Sequence, residues 1–107
     1  MDLHPLAEQR SSVKNWRQIG LGVMGIADML IKMGITYGSP KSISVCEEIA
    51  KTLIHAATME SCSLAMEYEP YPMCKSDLIV RTEFFKNYAP EGTVTYELVK
   101  EHGLRNS

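Results

Sequence analysis

A chain of 107 residues suits one small domain, and 45% apolar with 22% charged residues is the composition of a folding chain rather than a disordered tail. At this size there is little room for both a scaffold and a deep, complete active site. The 11 basic and 13 acidic residues leave a net charge of −2, with no basic stripe for a phosphate backbone, so nucleic acid is not an expected partner. No apolar run approaches the ~20 residues of a membrane span. Met1-Asp2-Leu3-His4-Pro5 has neither the basic nor the apolar region of a signal peptide, so a cytoplasmic chain with no membrane partner is expected. Cys46, Cys62 and Cys74 are odd in number and lack C-x-x-C spacing, which predicts reduced thiols.

From Met1 to about Lys14 there is little periodicity, and residues 1–14 read as a loosely ordered N-terminal arm before a single helical unit, 15–107. Asn15 as N-cap, with Gln18 three residues on, predicts a helix over about 16–33. Its apolar face would carry Ile19, Gly22, Val23, Ile26, Met29, Leu30 and Met33, with Gly34 as the C-terminal stop. Arg17, Asp28 and Lys32 form a narrow polar stripe beside Leu21, Met24 and Ile31, so such a helix needs neighbours on more than one side. Ser39-Pro40 is the clearest start signal in the chain, and no glycine or proline follows until Pro70. A helix over about 40–68, roughly 43 Å long at 1.5 Å per residue, is predicted. Its apolar stripe would hold Ile43, Cys46, Ala50, Leu53, Ala57, Ser61, Leu64 and Tyr68. The two long helices, six residues apart, should pair as an antiparallel hairpin. Tyr68 to Met73 is a loop by its prolines, Thr82 opens a short helix (about 82–88) and Thr95 another (about 95–102), with Gly103 as its stop. No strand pairs are visible, so the expected fold class is mainly α.

Gly20-Leu21-Gly22-Val23-Met24-Gly25 has the letters of a dinucleotide-binding G-x-G-x-x-G loop, a motif that works only at a strand-to-helix turn. The residues before it, Val13 to Gln18, do not read as a buried strand, and close helix packing through the glycines is the better reading. His55, Met59, Cys62 and Met66, spaced by four, three and four, put soft-metal ligand types along one side of the second long helix. A Met-rich docking face explains them as well. His55 beside Glu48 or Glu60, and His102 beside Glu101, pair without a nucleophile, orienting group and oxyanion site to join them. No catalytic residue, cofactor ligand or metal ligand set is expected. The apolar side chains Leu21, Met24, Ile31, Met59 and Met66 would need cover, which predicts self-association of the isolated chain.

Two stretches are more specific. Asn15-Trp16-Arg17-Gln18-Ile19-Gly20-Leu21-Gly22-Val23-Met24-Gly25-Ile26-Ala27-Asp28-Met29-Leu30 and His102-Gly103-Leu104-Arg105-Asn106-Ser107 resemble the large, catalytic subunit of ribonucleotide reductase. Gly34, Tyr37, Gly38 and Ser39, and Leu64-Ala65 on the long helix, extend the resemblance in the right order over nearly the whole chain. It implies the C-terminal part of an α/β-barrel domain in an oxidoreductase that makes deoxyribonucleotides for DNA synthesis by thiyl-radical chemistry. Arg105, Asn106 and Ser107 would then lie near the substrate phosphate, with Leu104 to Ser107 starting an inner strand and the helices packed outside the barrel. The family's Asn-x-Cys-x-Glu radical loop, its redox cysteine pair and its Ala-Pro-Thr-Gly phosphate loop have no match among these 107 residues. The resemblance therefore implies a structural fragment, inactive alone, whose partner is the rest of the large subunit or a complementary fragment. A stand-alone helical oligomerisation or partner-binding module is the alternative. Glu69 departs from the family, which commonly has glycine where the chain leaves the long helix.

Overall fold

The computed structural model describes residues 4–106. Six helices follow in chain order: α1 (Ala7–Trp16), α2 (Ile26–Lys32), α3 (Pro40–Tyr68), α4 (Ser76–Ile79), α5 (Glu83–Tyr88) and α6 (Val94–His102). Among the described residues there is no strand, in keeping with a mainly α chain.

The helix α3 runs over 40–68 as its punctuation predicts. Ser39 accepts a hydrogen bond from the Ser42 N–H at 3.2 Å, and Pro40 occupies the first turn, where its missing N–H leaves no bond unmade. Its buried face shares only Ser61 with the predicted stripe, while Leu53, Ala57 and Leu64 of that stripe are half-buried. The residues that go inside are Ser42, Ser61, Cys62 and Ala65, while Ile43 and Tyr68 are exposed. The cause is the position of the short helices: α5 and α6 dock on the C-terminal half of α3 along the side carrying Cys62. Cys62, Val80, Phe85, Ala89, Tyr96 and Val99 form the core there, flanked by Ile79, Leu98 and Leu104. Cys46, expected inside, is only half-buried. The cap of α6 is Thr93, which accepts from the Tyr96 N–H at 3.3 Å, two residues earlier than the expected Thr95.

The expected first helix over 16–33 is not formed, and with it the long antiparallel hairpin is absent. Of that span only Trp16, the last residue of α1, and Ile26–Lys32 are helical. Gly20, Gly22 and Gly25 fall within six positions, and each costs a helix about 1 kcal/mol relative to alanine. Gly25 takes φ 77° as the N-cap of α2, a conformation without penalty only for glycine. Residues 17–25 run with no turn or bend. A Cβ placed on Gly20 or Gly22 would meet nothing within 4 Å, so among the described residues no close packing is made through these glycines. Upstream, Ala7–Trp16 is helical where a loose arm is expected. Ala7, Glu8, Gln9 and Arg10 are good helix formers, and Glu8 in the first turn and Lys14 in the last suit the helix dipole. Asn15 is thus near the end of α1, not a cap of a later helix. None of α1 is buried.

Away from the core around Cys62, Leu30 of α2 and Ile35 are buried, and the Ile35 N–H donates to the Leu30 carbonyl at 2.9 Å. Leu30 and Ser42 line the same cleft between α2 and the start of α3. The molecule as a whole is spread out. Its radius of gyration is 17.1 Å, against about 13 Å for a compact domain of this length. Its accessible surface is 7947 Å², against about 6000 Å² for a folded monomer of this mass.

Candidate functional site

The densest polar structure in the molecule is the junction where the 103–106 segment crosses the end of α3. Gly103, at φ 75°, turns the chain out of α6. The backbone of Arg105 and Asn106 is then bound by one buried serine. The Ser61 Oγ accepts from the Arg105 N–H at 3.1 Å and the Asn106 N–H at 2.9 Å, and its hydroxyl lies 3.5 Å from Asn106 Oδ1 as a donor. The Ser61 carbonyl also accepts from the Arg105 N–H at 3.1 Å.

Arg105 sends Nη1 to the carbonyls of Tyr68 and Glu69, at 2.6 and 2.9 Å, with its guanidinium 5.4 Å from the centre of the Tyr68 ring. A cation on the last carbonyls of α3 satisfies acceptors that the helix leaves open and matches the negative end of its dipole. Asn106 Nδ2 donates to the Trp16 carbonyl at 3.0 Å, which ties in the end of α1. The loop after α3 closes the ring of contacts. The Tyr71 N–H donates to the Leu104 carbonyl at 3.0 Å, the Met73 N–H to the Asn15 carbonyl at 3.2 Å, and the Leu104 N–H to Cys74 Sγ at 3.4 Å. Trp16 and Tyr71 rings lie 6.1 Å apart.

All three non-glycine residues with positive φ among the described residues sit here: Arg17 (49°), Glu69 (71°) and Asn106 (73°). Such conformations cost on the order of 1–3 kcal/mol and persist where surrounding contacts over-determine them. Glu69, at φ 71° and ψ 153°, holds the geometry that glycine takes most easily. That is the position where the sequence departs from its family resemblance.

Of the expected phosphate-proximal residues, Arg105 and Asn106 are both drawn into this junction, and Ser107 lies outside the described residues. Ser61 and Cys74, which act through their side chains, and Trp16, which acts through its carbonyl, are not singled out with them by the sequence. Their link to 103–106 spans 30 to 90 residues of chain, which no local spacing encodes.

The other constellations disperse. Cys62 is fully buried in the core, Met59 Sδ faces the Thr95 hydroxyl at 3.4 Å, and His55 and Met66 are exposed. Among the described residues no three or more of His, Cys, Asp and Glu gather as a metal-sized group. His102 Nε2 lies 3.7 Å from Glu101 Oε2 at the surface, with no third group to make it a relay. The G-x-G-x-x-G letters have no strand before them, so they do not make the turn that a dinucleotide loop requires. A shallow cleft of 280 Å³ between α3 and α5, lined in part by Lys51, His55, Asn87 and Tyr88, contains no converging acid, base and nucleophile.

Burial raises the Cys62 thiol pKa above its ordinary value of 9.0. Tyr71 is raised too, first by burial and then by the neighbouring Cys74. For both groups the folded state disfavours the anion. Stability is therefore fully present below the unfolded-state pKa values and is lost as pH rises through the folded ones. A denaturation midpoint followed upward from neutral pH should hold steady and then fall above pH 9, less steeply in Cys62→Ala. Equal alkaline slopes in the two proteins would show that the buried thiol contributes nothing.

This geometry fixes the course of the 103–106 segment against the end of α3. The whole chain, residues 1–107, matches the family described as ribonucleotide reductase, barrel domain, and it belongs to that family. Among curated relatives, it is similar to the ribonucleoside-diphosphate reductase large subunit of Danio rerio, 38% identical over 71 residues that cover 66% of this chain and 9% of that protein. The subunit alpha of Chlamydia trachomatis is 30% identical over 99% of this chain and 12% of its own length. The large chain 2 of Saccharomyces cerevisiae is 31% identical over 97% of this chain and 13% of its own length. The chain thus spans only a small part of the length of these relatives. No solved structure matches it. Among the described residues no helix is long and apolar enough to cross a membrane.

Proposed function

We propose that this chain serves as an outer helical scaffold of a ribonucleotide reductase large subunit and delivers the 103–106 segment toward the place where substrate phosphate binds. The observation that carries the reading is the Ser61–Arg105–Asn106 clamp. It spends a buried serine and an arginine on fixing the direction of a short extended segment, which a free-standing helical module has no reason to do. In this reading Arg105 and Asn106 set the course of the backbone, and the groups that reduce a ribonucleoside diphosphate come from other parts of the subunit. The scaffold alone is inactive.

The partner is the rest of the large subunit. Ile19, Leu21, Met24, Ile31 and Met66 are exposed, as a surface made to be covered would be. Met59, expected among them, is instead half-buried beneath α6. In the absence of its partner the chain pairs with itself through the same side chains. Its three free cysteines fit a reducing, cytoplasmic setting.

The test is complementation. The chain is mixed with a reductase large-subunit polypeptide lacking the matching stretch, together with the radical-generating subunit, and conversion of ribonucleoside diphosphate is followed. Activity should arise in the mixture and in neither part alone. A mixture as inactive as its parts, with no complex formed, would defeat the proposal and favour a separate oligomerisation module.

A further inference from the structure

We infer that Ser61 is a positioning residue for substrate binding: by holding the backbone at Arg105 and Asn106 it sets how tightly the completed reductase takes the phosphates of a ribonucleoside diphosphate. The inference rests on the function proposed above and deepens it, since Ser61 lies on α3 and acts only through the 103–106 segment.

Two serines stand two residues apart on α3 and are used in opposite ways. Ser63 is exposed, and its hydroxyl donates to the Met59 carbonyl at 3.1 Å, four residues back, the bond a serine ordinarily makes inside a helix. Ser61 is buried, and among the described residues its side chain bonds to Arg105 and Asn106 alone. A hydroxyl has two acceptor lone pairs and one donor hydrogen. The Arg105 and Asn106 N–H groups take the lone pairs, and Asn106 Oδ1 faces the donor. The whole hydrogen-bonding capacity of the group is committed to residues 44 and 45 positions away.

The consequence falls on Asn106 more than on Arg105. The Arg105 N–H has a second acceptor in the Ser61 carbonyl, and its guanidinium is held separately by the carbonyls of Tyr68 and Glu69. Asn106 has a φ of 73°, a conformation that a residue with a side chain keeps only where contacts impose it. Three hydrogen bonds impose it here: two end on Ser61 Oγ, and the third on the Trp16 carbonyl. Without the hydroxyl the Asn106 N–H has no acceptor, and a return to negative φ redirects the chain that follows. Displacing a binding group by about 1 Å can cost on the order of a hundredfold in an enzyme. A backbone that leads to a phosphate site therefore has to arrive in one direction.

The experiment compares Ser61→Ala, Ser61→Thr and Ser63→Ala in the mixture of this chain with a large-subunit polypeptide lacking the matching stretch and the radical-generating subunit, with the chain saturating. Ser61→Ala should raise the KM for ribonucleoside diphosphate about tenfold or more and leave kcat within about twofold, the split expected when a binding interaction is lost. Ser61→Thr keeps the hydroxyl and should restore most of the loss, and Ser63→Ala should match the unaltered chain. In the free chain the Asn106 amide should exchange about tenfold faster or more in Ser61→Ala, and at its original rate in Ser63→Ala. An active mixture in which Ser61→Ala and Ser63→Ala share one KM overturns the inference and leaves the scaffold reading standing. So does a fall in kcat at constant KM, which is what a merely structural serine would give. An unaltered chain that yields no activity in the mixture overturns both.

Discussion

Phe85→Ala should lower stability by about 3–5 kcal/mol, the largest effect of any single substitution in the core. Phe85 is 1% exposed and lies in the cluster formed with Cys62, Val80, Ala89, Tyr96 and Val99. It is the largest fully buried side chain, and it is the piece of α5 that reaches the C-terminal half of α3. Truncation removes the transfer free energy of the ring and leaves a cavity that the short helices α5 and α6 cannot close without moving. Small domains have about 5–15 kcal/mol in total, so the variant should melt at least about 12 °C lower or fail to fold. The adjacent Phe84 provides the control. It is 40% exposed and touches Phe85 edge-on at 5.5 Å and Tyr88 at 5.3 Å, so Phe84→Ala should cost much less. Thermal melts by circular dichroism decide the matter. Equal losses from the two positions would mean that α5 is not anchored by Phe85.

The second large effect belongs to Gly103. Its φ of 75° and ψ of −161° lie in a region that is nearly closed to side chains. A Cβ there would also sit 3.0 Å from Cys74 Sγ and 3.1 Å from Pro70 Cβ, and the proline ring cannot swing away. Gly103→Ala should therefore cost at least about 1–3 kcal/mol and lift 103–106 off the loop after α3. The visible consequence is at Cys74, whose sulfur accepts from the Leu104 N–H. Its thiol should react faster with an alkylating reagent in the variant. Glu69→Gly makes the opposite change at φ 71° and should stabilise by about 1 kcal/mol, since the Arg105 bond there is to a backbone carbonyl that the substitution keeps. An alanine at 103 that leaves both the melt and the Cys74 reactivity unchanged would contradict the description of this joint.

Much of the fold was legible because some elements are announced by local chemistry. Ser39 and Pro40 start α3 and Pro70 follows its end, all within a few residues of the boundaries they set. The Thr82 start of α5 and the Gly103 stop of α6 are of the same kind. The stretch after Trp16 was misread because two periods overlap in it. Ile19, Val23, Ile26 and Leu30 satisfy a helical repeat, while Ile19, Leu21 and Val23 satisfy a strand repeat, and three glycines decide against the helix. The buried face of α3 was displaced because it is chosen by where α5 and α6 land, a matter of tertiary packing. In the site, the His102 to Ser107 motif was recognisable as letters, but Ser61 as its anchor was not. A serine in a long helix has no local feature to show that two amides from 44 and 45 residues away will bind it.

The account as a whole holds that this chain is an incomplete surface which another part of a reductase large subunit completes. Sedimentation velocity tests that most directly, on the chain alone at micromolar concentration and then titrated with the large-subunit polypeptide lacking the matching stretch. The account predicts self-associated species in the first case and their replacement by a single one-to-one complex in the second. A monodisperse monomer that ignores the added polypeptide would contradict it.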